Sequence, residues 1–368
     1  MTVVPRSTLK NIKPYKPGKS IESLKSEKNI PDVIKLASNE NPLGASVKAD
    51  DLSTAIDQVH VYPDPFNHPI YKTLAQYNDM SEENLILGNG SDDILQLAAL
   101  SYFNTNDEVI GSKHSFSVYE HVSTLMGAIY KQVPMKNYFV DLDGILDAIN
   151  DSTKAIFIAN PNNPTGTARN ALELNRFLNQ VPNHILVVID QAYIEYAGDS
   201  YQLNAKSIIN SYQNVLLTKT FSKAFGLAGF RIGYGLSSKE IIIQLNKTRT
   251  PFNVNQLALQ AAYTALKNKG FLEKSVKLNL KEKQYLGNKL KELNVNTLPS
   301  EGNFLACFFA EQLADDIYDK LLNKGVITRS LTSFDLPNAI RVSVGTREQN
   351  NRFLSALKDT LIEIGAKI

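Results

Sequence analysis

A short apolar run leads into a polar loop in the stretch Val215-Leu216-Leu217-Thr218-Lys219-Thr220-Phe221-Ser222-Lys223-Ala224-Phe225-Gly226. Three further segments between residues 85 and 235 have the same form, with apolar runs that begin at Leu85, Ala155 and Ile185. The alternation of such runs with helical periodicity predicts strand-loop-helix units around a largely parallel sheet. Because ligands of open parallel sheets bind beyond the carboxyl ends of the strands, we expect the four loops to converge on one crevice.

The composition is that of an ordinary globular protein. Of 368 residues, 43% are hydrophobic and 21% are charged, which argues against a disordered or membrane-spanning chain. Division by the roughly 150 residues of a typical domain predicts two to three domains. The 39 lysines and arginines against 37 acidic residues leave a net charge of +2, so no general field attracts nucleic acid or a membrane surface. An anionic ligand therefore needs local positive charge.

The sequence contains no pattern of metal ligands. Its five histidines lack metal-ligand spacing, and the single cysteine, Cys307, has no partner for a disulfide or a zinc site. One cysteine fits a reducing compartment, and residues 1–24 lack the apolar core of a signal peptide. We therefore expect a cytoplasmic protein without a metal.

The pattern differs in the last third of the chain. Strand-like segments at 303–309, 326–329 and 339–344 alternate with helical segments, which predicts a smaller α+β unit. Residues 256–293 have the periodicity of one long helix that links this unit to the preceding one.

The polar loops allow more than one chemistry. The turn 88–93 offers backbone N–H groups to a phosphate, although serine and aspartate before a helix are also ordinary N-cap residues. Asp190 follows five apolar residues, so its carboxylate needs a partner, either a protonated ring nitrogen or a structural arginine. Lys223 is either a desolvated amine that forms a Schiff base or a surface lysine with a buried stem. Arg231 can clamp a phosphate with its planar guanidinium.

The order of these residues along the chain is more specific than each residue alone. The segment 220–234 resembles the lysine segment of the pyridoxal-phosphate-dependent aminotransferases of fold type I, and 162–166 and 190–193 resemble two further motifs of that family. The resemblance narrows to the histidinol-phosphate aminotransferase branch. That branch is matched by segments at 36–44, 62–64, 88–93, 302–304 and 340–348.

The resemblance implies an α/β fold. Its large domain holds a mostly parallel sheet of the seven-stranded type flanked by helices, and a small α+β domain is added to it. The division expected for this chain is an N-terminal arm and part of the small domain at 1–44, a large cofactor domain at 45–255, and a linking helix with the small domain at 256–368.

The resemblance also implies pyridoxal 5'-phosphate as cofactor. Lys223 would hold it as a Schiff base and move the substrate proton, Asp190 would pair with the ring nitrogen, and Asn163 and Tyr193 would bond the phenolic oxygen. The phosphate-binding residues implied are the amides of Gly90, Ser91 and Asp92, the hydroxyls of Thr220 and Ser222, and Arg231.

Two further cofactor contacts follow from the resemblance. Phe116 stands where the branch often has the tyrosine that stacks on the cofactor ring, and a register in which Tyr119 stacks stays open. In that family, the residue that corresponds to Tyr62 reaches the cofactor phosphate bound by the neighbouring subunit. The resemblance therefore implies a homodimer.

The resemblance also indicates which residues bind the substrates. Arginines in strands are most often solvated or paired with acids, but the resemblance makes Arg341 and Arg329 the ligands of the substrate's anionic groups, with Tyr15 and Asn39 completing the pocket. The implied reaction transfers the amino group of L-histidinol phosphate to 2-oxoglutarate and forms glutamate. Alternatives are an aromatic amino acid aminotransferase, a threonine-phosphate decarboxylase and a non-catalytic metabolite-binding protein.

Overall fold

The computed structural model describes residues 3–12, 14, 18–309 and 313–365. The N-terminal part holds α1 Ile21–Lys28, β1 Ile34–Lys35, α2 Ser53–Asp57 and α3 Ile70–Tyr77. The central part holds β2 Leu85–Gly88, α4 Ser91–Tyr102, β3 Glu108–Ser112, α5 Val118–Met126, β4 Ile129–Val133, α6 Leu142–Ala148, β5 Thr153–Ala159, α7 Ala171–Leu178, β6 Leu186–Asp190, α8 Ala205–Ser211, β7 Val215–Thr220, β8 Gly233–Ser237 and α9 Lys239–Thr248. The C-terminal part holds α10 Gln256–Lys267, α11 Lys269–Glu292, β9 Asn296–Thr297, β10 Phe304–Phe308, α12 Ala314–Asn323, β11 Val326–Ile327, β12 Arg329–Ser330, β13 Ala339–Ser343 and α13 Arg347–Glu363.

A seven-stranded sheet forms the centre of the molecule, in the order β2-β8-β7-β6-β5-β3-β4. Strands β7, β6, β5, β3 and β4 pair in parallel, whereas β8 is antiparallel to both β2 and β7. The prediction of a mostly parallel sheet flanked by helices is therefore confirmed.

The apolar runs are continuous because both faces of this sheet are covered by helices. In β6, Val187 and Ile189 pack into one apolar cluster, whereas Leu186 and Val188 pack into another cluster that includes α4 and α5. Side chains alternate between faces along a strand, so Asp190 points to the side of α4 and α5. The same alternation places Thr218 and Thr220 of β7 on that side with Leu216.

Two smaller sheets lie outside the central one. The antiparallel order β12-β13-β10-β9 forms the first, and a parallel pair of β1 with β11 forms the second. The segment expected as one strand at 326–329 is therefore two short strands in different sheets, joined at the buried Thr328. The pairing of β1 with β11 supports our proposal that residues 1–44 belong with residues beyond 256.

The expectation of one long helix at 256–293 is wrong, because the structure divides it into α10 and α11. The side chain of Asn268 accepts a hydrogen bond from the N–H of Phe271 and so caps a new helix. Among the described residues, no helix is both long and apolar enough to cross a membrane.

Helix α11 buries polar side chains near its N-terminal end and apolar side chains farther along. Ser275 and Asn279 are buried near the N-terminal end, where Ser275 Oγ accepts a 2.8 Å hydrogen bond from Asn41 Nδ2. Leu286 and Leu290 are fully buried farther along, in the apolar cluster of the four-stranded sheet. The helix thus joins the core of the smaller unit to the N-terminal segment.

Leu286→Ala removes a fully buried side chain from this cluster and should destabilise the protein by about 2–5 kcal/mol. Leu280→Ala in the same helix is the matched control, because Leu280 is 65% exposed and its truncation should change stability by less than about 0.5 kcal/mol. Urea unfolding followed by circular dichroism measures both. Equal losses in the two variants would contradict this account of the core.

Candidate active site

A cavity of about 1110 Å³ opens at the carboxyl ends of β5, β6 and β7 and is closed on the other side by β12 and β13. Segments far apart in sequence meet there, as the strand-loop-helix pattern predicts. The predicted site residues that line it are Asn39, Ser91, Asp92, Phe116, Asn163, Asp190, Tyr193, Thr220, Ser222, Lys223, Arg231, Arg329 and Arg341.

Lys223 lies in the loop after β7 with its amine inside the cavity. Its Nζ donates a 2.9 Å hydrogen bond to the carbonyl of Ser38 and lies 5.8 Å from the ring centre of Tyr193. Burial and, after it, the positive charge of Arg341 lower the pKa of Lys223 to about 8, although the carboxylate of Glu40 opposes the shift. The amine is therefore more easily made neutral and nucleophilic than a free lysine.

Gly226 allows the N-terminal segment to cross this lysine loop. Its φ is +68°, and a Cβ atom there would lie 2.1 Å from the carbonyl oxygen of Gly44. The crossing is fixed by Asn41, whose Nδ2 donates to the carbonyl of Ala224 at 2.9 Å. The segment 36–44 therefore forms one wall of the cavity.

Asp190 ends β6 as a buried carboxylate, 5% exposed, that faces the cavity. Its Oδ2 accepts a 2.8 Å hydrogen bond from the hydroxyl of Tyr119, and its Oδ1 accepts from Thr218 Oγ1 at 3.1 Å and from the N–H of Ala192 at 3.2 Å. Burial raises the pKa of Asp190 to about 6 although these hydrogen bonds lower it. Among the described lysines and arginines, none forms an ion pair with this carboxylate. It is therefore suited to hold a cationic group that enters the cavity.

Asn39 connects three parts of the site. Its Nδ2 donates to the hydroxyl of Tyr193 at 3.0 Å, its N–H donates to Ser343 Oγ at 2.8 Å, and its carbonyl accepts from Asn303 Nδ2 at 3.0 Å. Its φ of +55° lies in the left-handed region that asparagine tolerates. Asn39 thus joins β13 to the loop after β6.

A second polar cluster lies at the N-terminus of α4. The N-cap residue of this helix, Gly90, has no side chain to cap it, and Ser91 and Asp92 begin the helix at the cavity wall. Thr220 Oγ1 and Ser222 Oγ lie 3.0 Å apart beside it. Arg231 completes the cluster, with Nη1 3.4 Å from Ser222 Oγ and Nη2 3.6 Å from Asp92 Oδ2.

Gly90 does not line the cavity itself, but the cluster depends on its lack of a side chain. Its φ is +85°, and a Cβ atom there would lie 2.6 Å from Arg231 Nη2. The free N–H groups, two hydroxyls and one guanidinium are the donors that a phosphate group accepts at a helix N-terminus.

Phe116 and Tyr119 have different environments. Tyr119 is fully buried, its ring stacks on Phe157 at 4.8 Å, and its hydroxyl bonds Asp190. Phe116 is partly buried and lies edge-on to Tyr119 at 5.7 Å, with its ring on the cavity wall. A planar ligand above Asp190 therefore has Phe116 available for stacking, and Tyr119 supports the carboxylate.

Arg341 and Arg329 are paired residues of the antiparallel strands β13 and β12. The buried guanidinium of Arg341 donates to Asn163 Oδ1, and its Nη2 donates to the carbonyl of Ala37 at 2.6 Å. Arg329 is partly buried and also lines the cavity. The two cations face Lys223 from the side of the four-stranded sheet.

The structure does not bring Tyr62 into the cavity. Its side chain is 77% exposed and stacks on Phe252 with ring centres 4.5 Å apart. Tyr15 lies outside the described residues. Among the described residues, no group of three histidine, cysteine or acidic side chains could hold a metal ion.

Sequence reasoning missed three contributors to the site. Thr218 supports Asp190 and could have been found from its spacing of two residues before Thr220. Ser343 lies two residues after Arg341 in β13. This spacing places both side chains on the same face of the strand and could have indicated Ser343 as well. Glu40 lines the cavity and pairs with Lys35 Nζ at 2.7 Å, but an acid in a loop gives no such signal.

Comparisons with known proteins show which family the chain belongs to. The sequence model of the family "Aminotransferase class I and II" matches residues 31–357. The chain is 42% identical to "Histidinol-phosphate aminotransferase 1" of Idiomarina loihiensis over 95% of both chains. It is 43% identical to "Histidinol-phosphate aminotransferase 2" of Pasteurella multocida over 96% of this chain and 97% of the relative.

Solved structures show the same architecture. The crystal structure of histidinol-phosphate aminotransferase from Sinorhizobium meliloti in complex with pyridoxal-5'-phosphate is 26% identical, with a TM-score of 0.90 over 99% of both chains. L-threonine-O-3-phosphate decarboxylase from Porphyromonas gingivalis, at 21% identity and a TM-score of 0.75 over 90% of this chain and 100% of that chain, shares the fold. The chain therefore belongs to the class I and II aminotransferases, in the histidinol-phosphate aminotransferase group of that family.

Proposed function

We propose that the protein transfers the amino group of L-histidinol phosphate to 2-oxoglutarate, forming imidazole acetol phosphate and L-glutamate, with pyridoxal 5'-phosphate as cofactor. The reaction is a step of histidine biosynthesis. The observation that carries this proposal is that Asp190, a buried carboxylate without a cationic partner among the described residues, shares a cavity with the amine of Lys223. The names of relatives at 42% and 43% identity support the choice of substrate.

The residues present fit the cofactor. Asp190 offers a buried negative charge to a ring nitrogen, and Phe116 offers an aromatic face. The uncapped N-terminus of α4 with Thr220, Ser222 and Arg231 would take the phosphate. When bound, the cofactor supplies a protonated ring that withdraws electrons from the carbon bearing the migrating amino group.

Residues of the chain would bind the cofactor, orient its ring and move the substrate proton. Lys223 Nζ would hold the cofactor and, once the substrate amine displaces it, would move the proton from the substrate carbon to the carbon of the cofactor that receives the amino group. Asp190 would keep the ring nitrogen protonated, since a buried carboxylate stabilises a nearby cation. Asn163 and Tyr193 would donate hydrogen bonds to the phenolic oxygen, and Asn39 holds Tyr193 in place at 3.0 Å.

Arg341 and Arg329 would bind the anionic ends of both substrates. Planar guanidinium groups bind phosphate and carboxylate oxygens in pairs, so one site can accept the phosphate of the donor and a carboxylate of 2-oxoglutarate. Substrate binding would require Arg341 to share or release its bond to Asn163. Tyr15 and the N-terminal arm would complete the pocket.

We also propose a cytoplasmic homodimer in which Tyr62 reaches the phosphate site of the partner subunit. Tyr62 and Phe252 are 77% and 41% exposed, and Ile56, Val59 and Val61 add further exposed apolar surface on the same segment. Exposed apolar side chains that are this close in sequence favour association with a second chain.

Lys223→Ala should yield a colourless protein without transaminase activity, because no other lysine lines the cavity in the described part of the chain. Lys223→Arg keeps the charge and should behave in the same way, whereas Lys239→Ala on the surface should stay yellow and active. Visible absorption spectra and a glutamate-release assay measure these outcomes. A yellow, active Lys223→Ala protein would refute the assignment of this lysine.

Uptake of the cofactor by the apoprotein should become faster as the pH rises through about 8, because the neutral amine is the nucleophile and burial lowers the pKa of Lys223 to about 8. Arg341→Gln removes a cation that lowers this pKa, so the midpoint should move to higher pH. Stopped-flow absorbance gives the rate constants. A midpoint near the ordinary lysine value of 10.5 would contradict the desolvated site.

A competition between amino donors tests the substrate. With 2-oxoglutarate as acceptor, histidinol phosphate should have a specificity constant about tenfold or more above that of phenylalanine, because its phosphate offers Arg341 and Arg329 three oxygens and close to two negative charges, whereas the carboxylate of phenylalanine offers two oxygens and one charge. No carbon dioxide should form from phosphothreonine. A wide advantage for phenylalanine would overturn the substrate, and carbon dioxide release would point to a decarboxylase.

A further inference from the structure

The loop after β3 meets the turn 332–334 of the four-stranded sheet at one edge of the cavity. His114 Nδ1 lies 2.6 Å from the carbonyl oxygen of Phe334. Next to it, Lys113 Nζ and Asp335 Oδ2 lie 3.8 Å apart, with both side chains largely in solvent. We call this contact between the loop after β3 and the turn 332–334 the joint. Phe116 lies in the loop and Phe334 in the turn, and both line the cavity.

The backbone of His114 is fixed from the side of the central sheet. Its φ of +53° lies in the left-handed region, which a non-glycine residue occupies only at a cost in conformational energy. Its carbonyl accepts a 3.0 Å hydrogen bond from Asn162 Nδ2, and Asn162 Oδ1 accepts from Ser115 Oγ at 2.7 Å. Since Asn162 is fully buried, the imidazole extends from a rigid base.

A carbonyl oxygen can only accept, so Nδ1 of His114 must carry the proton in this contact. The Nδ1–H of His114 therefore donates to the carbonyl of Phe334 and joins the loop after β3 to the turn 332–334.

We propose that His114 is a positioning residue that sets the distance between the loop of Phe116 and the turn of Phe334, and so the width of the cavity for a ring-bearing amino donor. This inference rests on the proposed function. The acceptor 2-oxoglutarate has no ring and would be held by guanidinium groups. Loss of the contact between His114 and Phe334 should therefore weaken the binding of histidinol phosphate more than the binding of 2-oxoglutarate.

The test compares two variants that tolerate the left-handed backbone, His114→Gly and His114→Asn. Glycine removes the ring without backbone strain, whereas asparagine restores an N–H donor. We expect His114→Gly to raise KM for histidinol phosphate about three- to tenfold, the effect of one net hydrogen bond, with a smaller change in KM for 2-oxoglutarate and unchanged cofactor absorbance. His114→Asn should recover part of the loss, and Lys113→Ala at the same joint should change neither constant.

Equal rises in both KM values, or identical behaviour of His114→Gly and His114→Asn, would overturn the role of His114. If the parent protein uses phenylalanine but not histidinol phosphate, the proposed substrate fails instead, and the same comparison with phenylalanine still decides the role of His114.

Discussion

The burial of one carboxylate at the end of a parallel strand determines the rest of the site. Asp190 must follow four apolar residues of β6 because the strand is covered on both faces, and the alternation along the strand then turns its side chain toward α4 and α5. Tyr119, Thr218 and the N–H of Ala192 donate to it, yet its pKa stays raised by burial. A cation in the cavity would relieve that cost, which is why we place the ring nitrogen of the cofactor there.

The other polar groups are brought to this carboxylate by chain crossings. The segment 36–44 passes over Gly226 and delivers Asn39 to Tyr193 and Ser343. Strand β13 brings Arg341 to Asn163, so the four-stranded sheet is tied directly to the loop that would bind the cofactor. Hydrogen bonds therefore join the substrate side to the cofactor side at two points, from Arg341 to Asn163 and from Ser343 through Asn39 to Tyr193.

Much of this site could be predicted from the sequence because polar residues that interrupt apolar runs in a parallel sheet meet at one edge. Lys223, Asp190 and the turn at Gly90 follow that rule. The division at Thr328, where one apparent strand enters two sheets, depends on partners far away in sequence and has no local signal. The hydrogen bond from Tyr119 to Asp190 was equally hidden, since aromatic residues at the start of a helix give the same pattern whether they stack on a ligand or pack in the core. The position of Tyr62 relative to a cofactor depends on a second chain and stays a prediction.

Lys223 and Asp190 would act together on the cofactor to transfer the amino group of histidinol phosphate. The most direct measurement is the isolated half-reaction of the yellow protein with L-histidinol phosphate in the absence of 2-oxoglutarate. We expect the yellow colour to disappear as one equivalent of imidazole acetol phosphate forms. Addition of 2-oxoglutarate should then restore the colour and form one equivalent of glutamate. An unchanged spectrum and no keto product at saturating histidinol phosphate would contradict it.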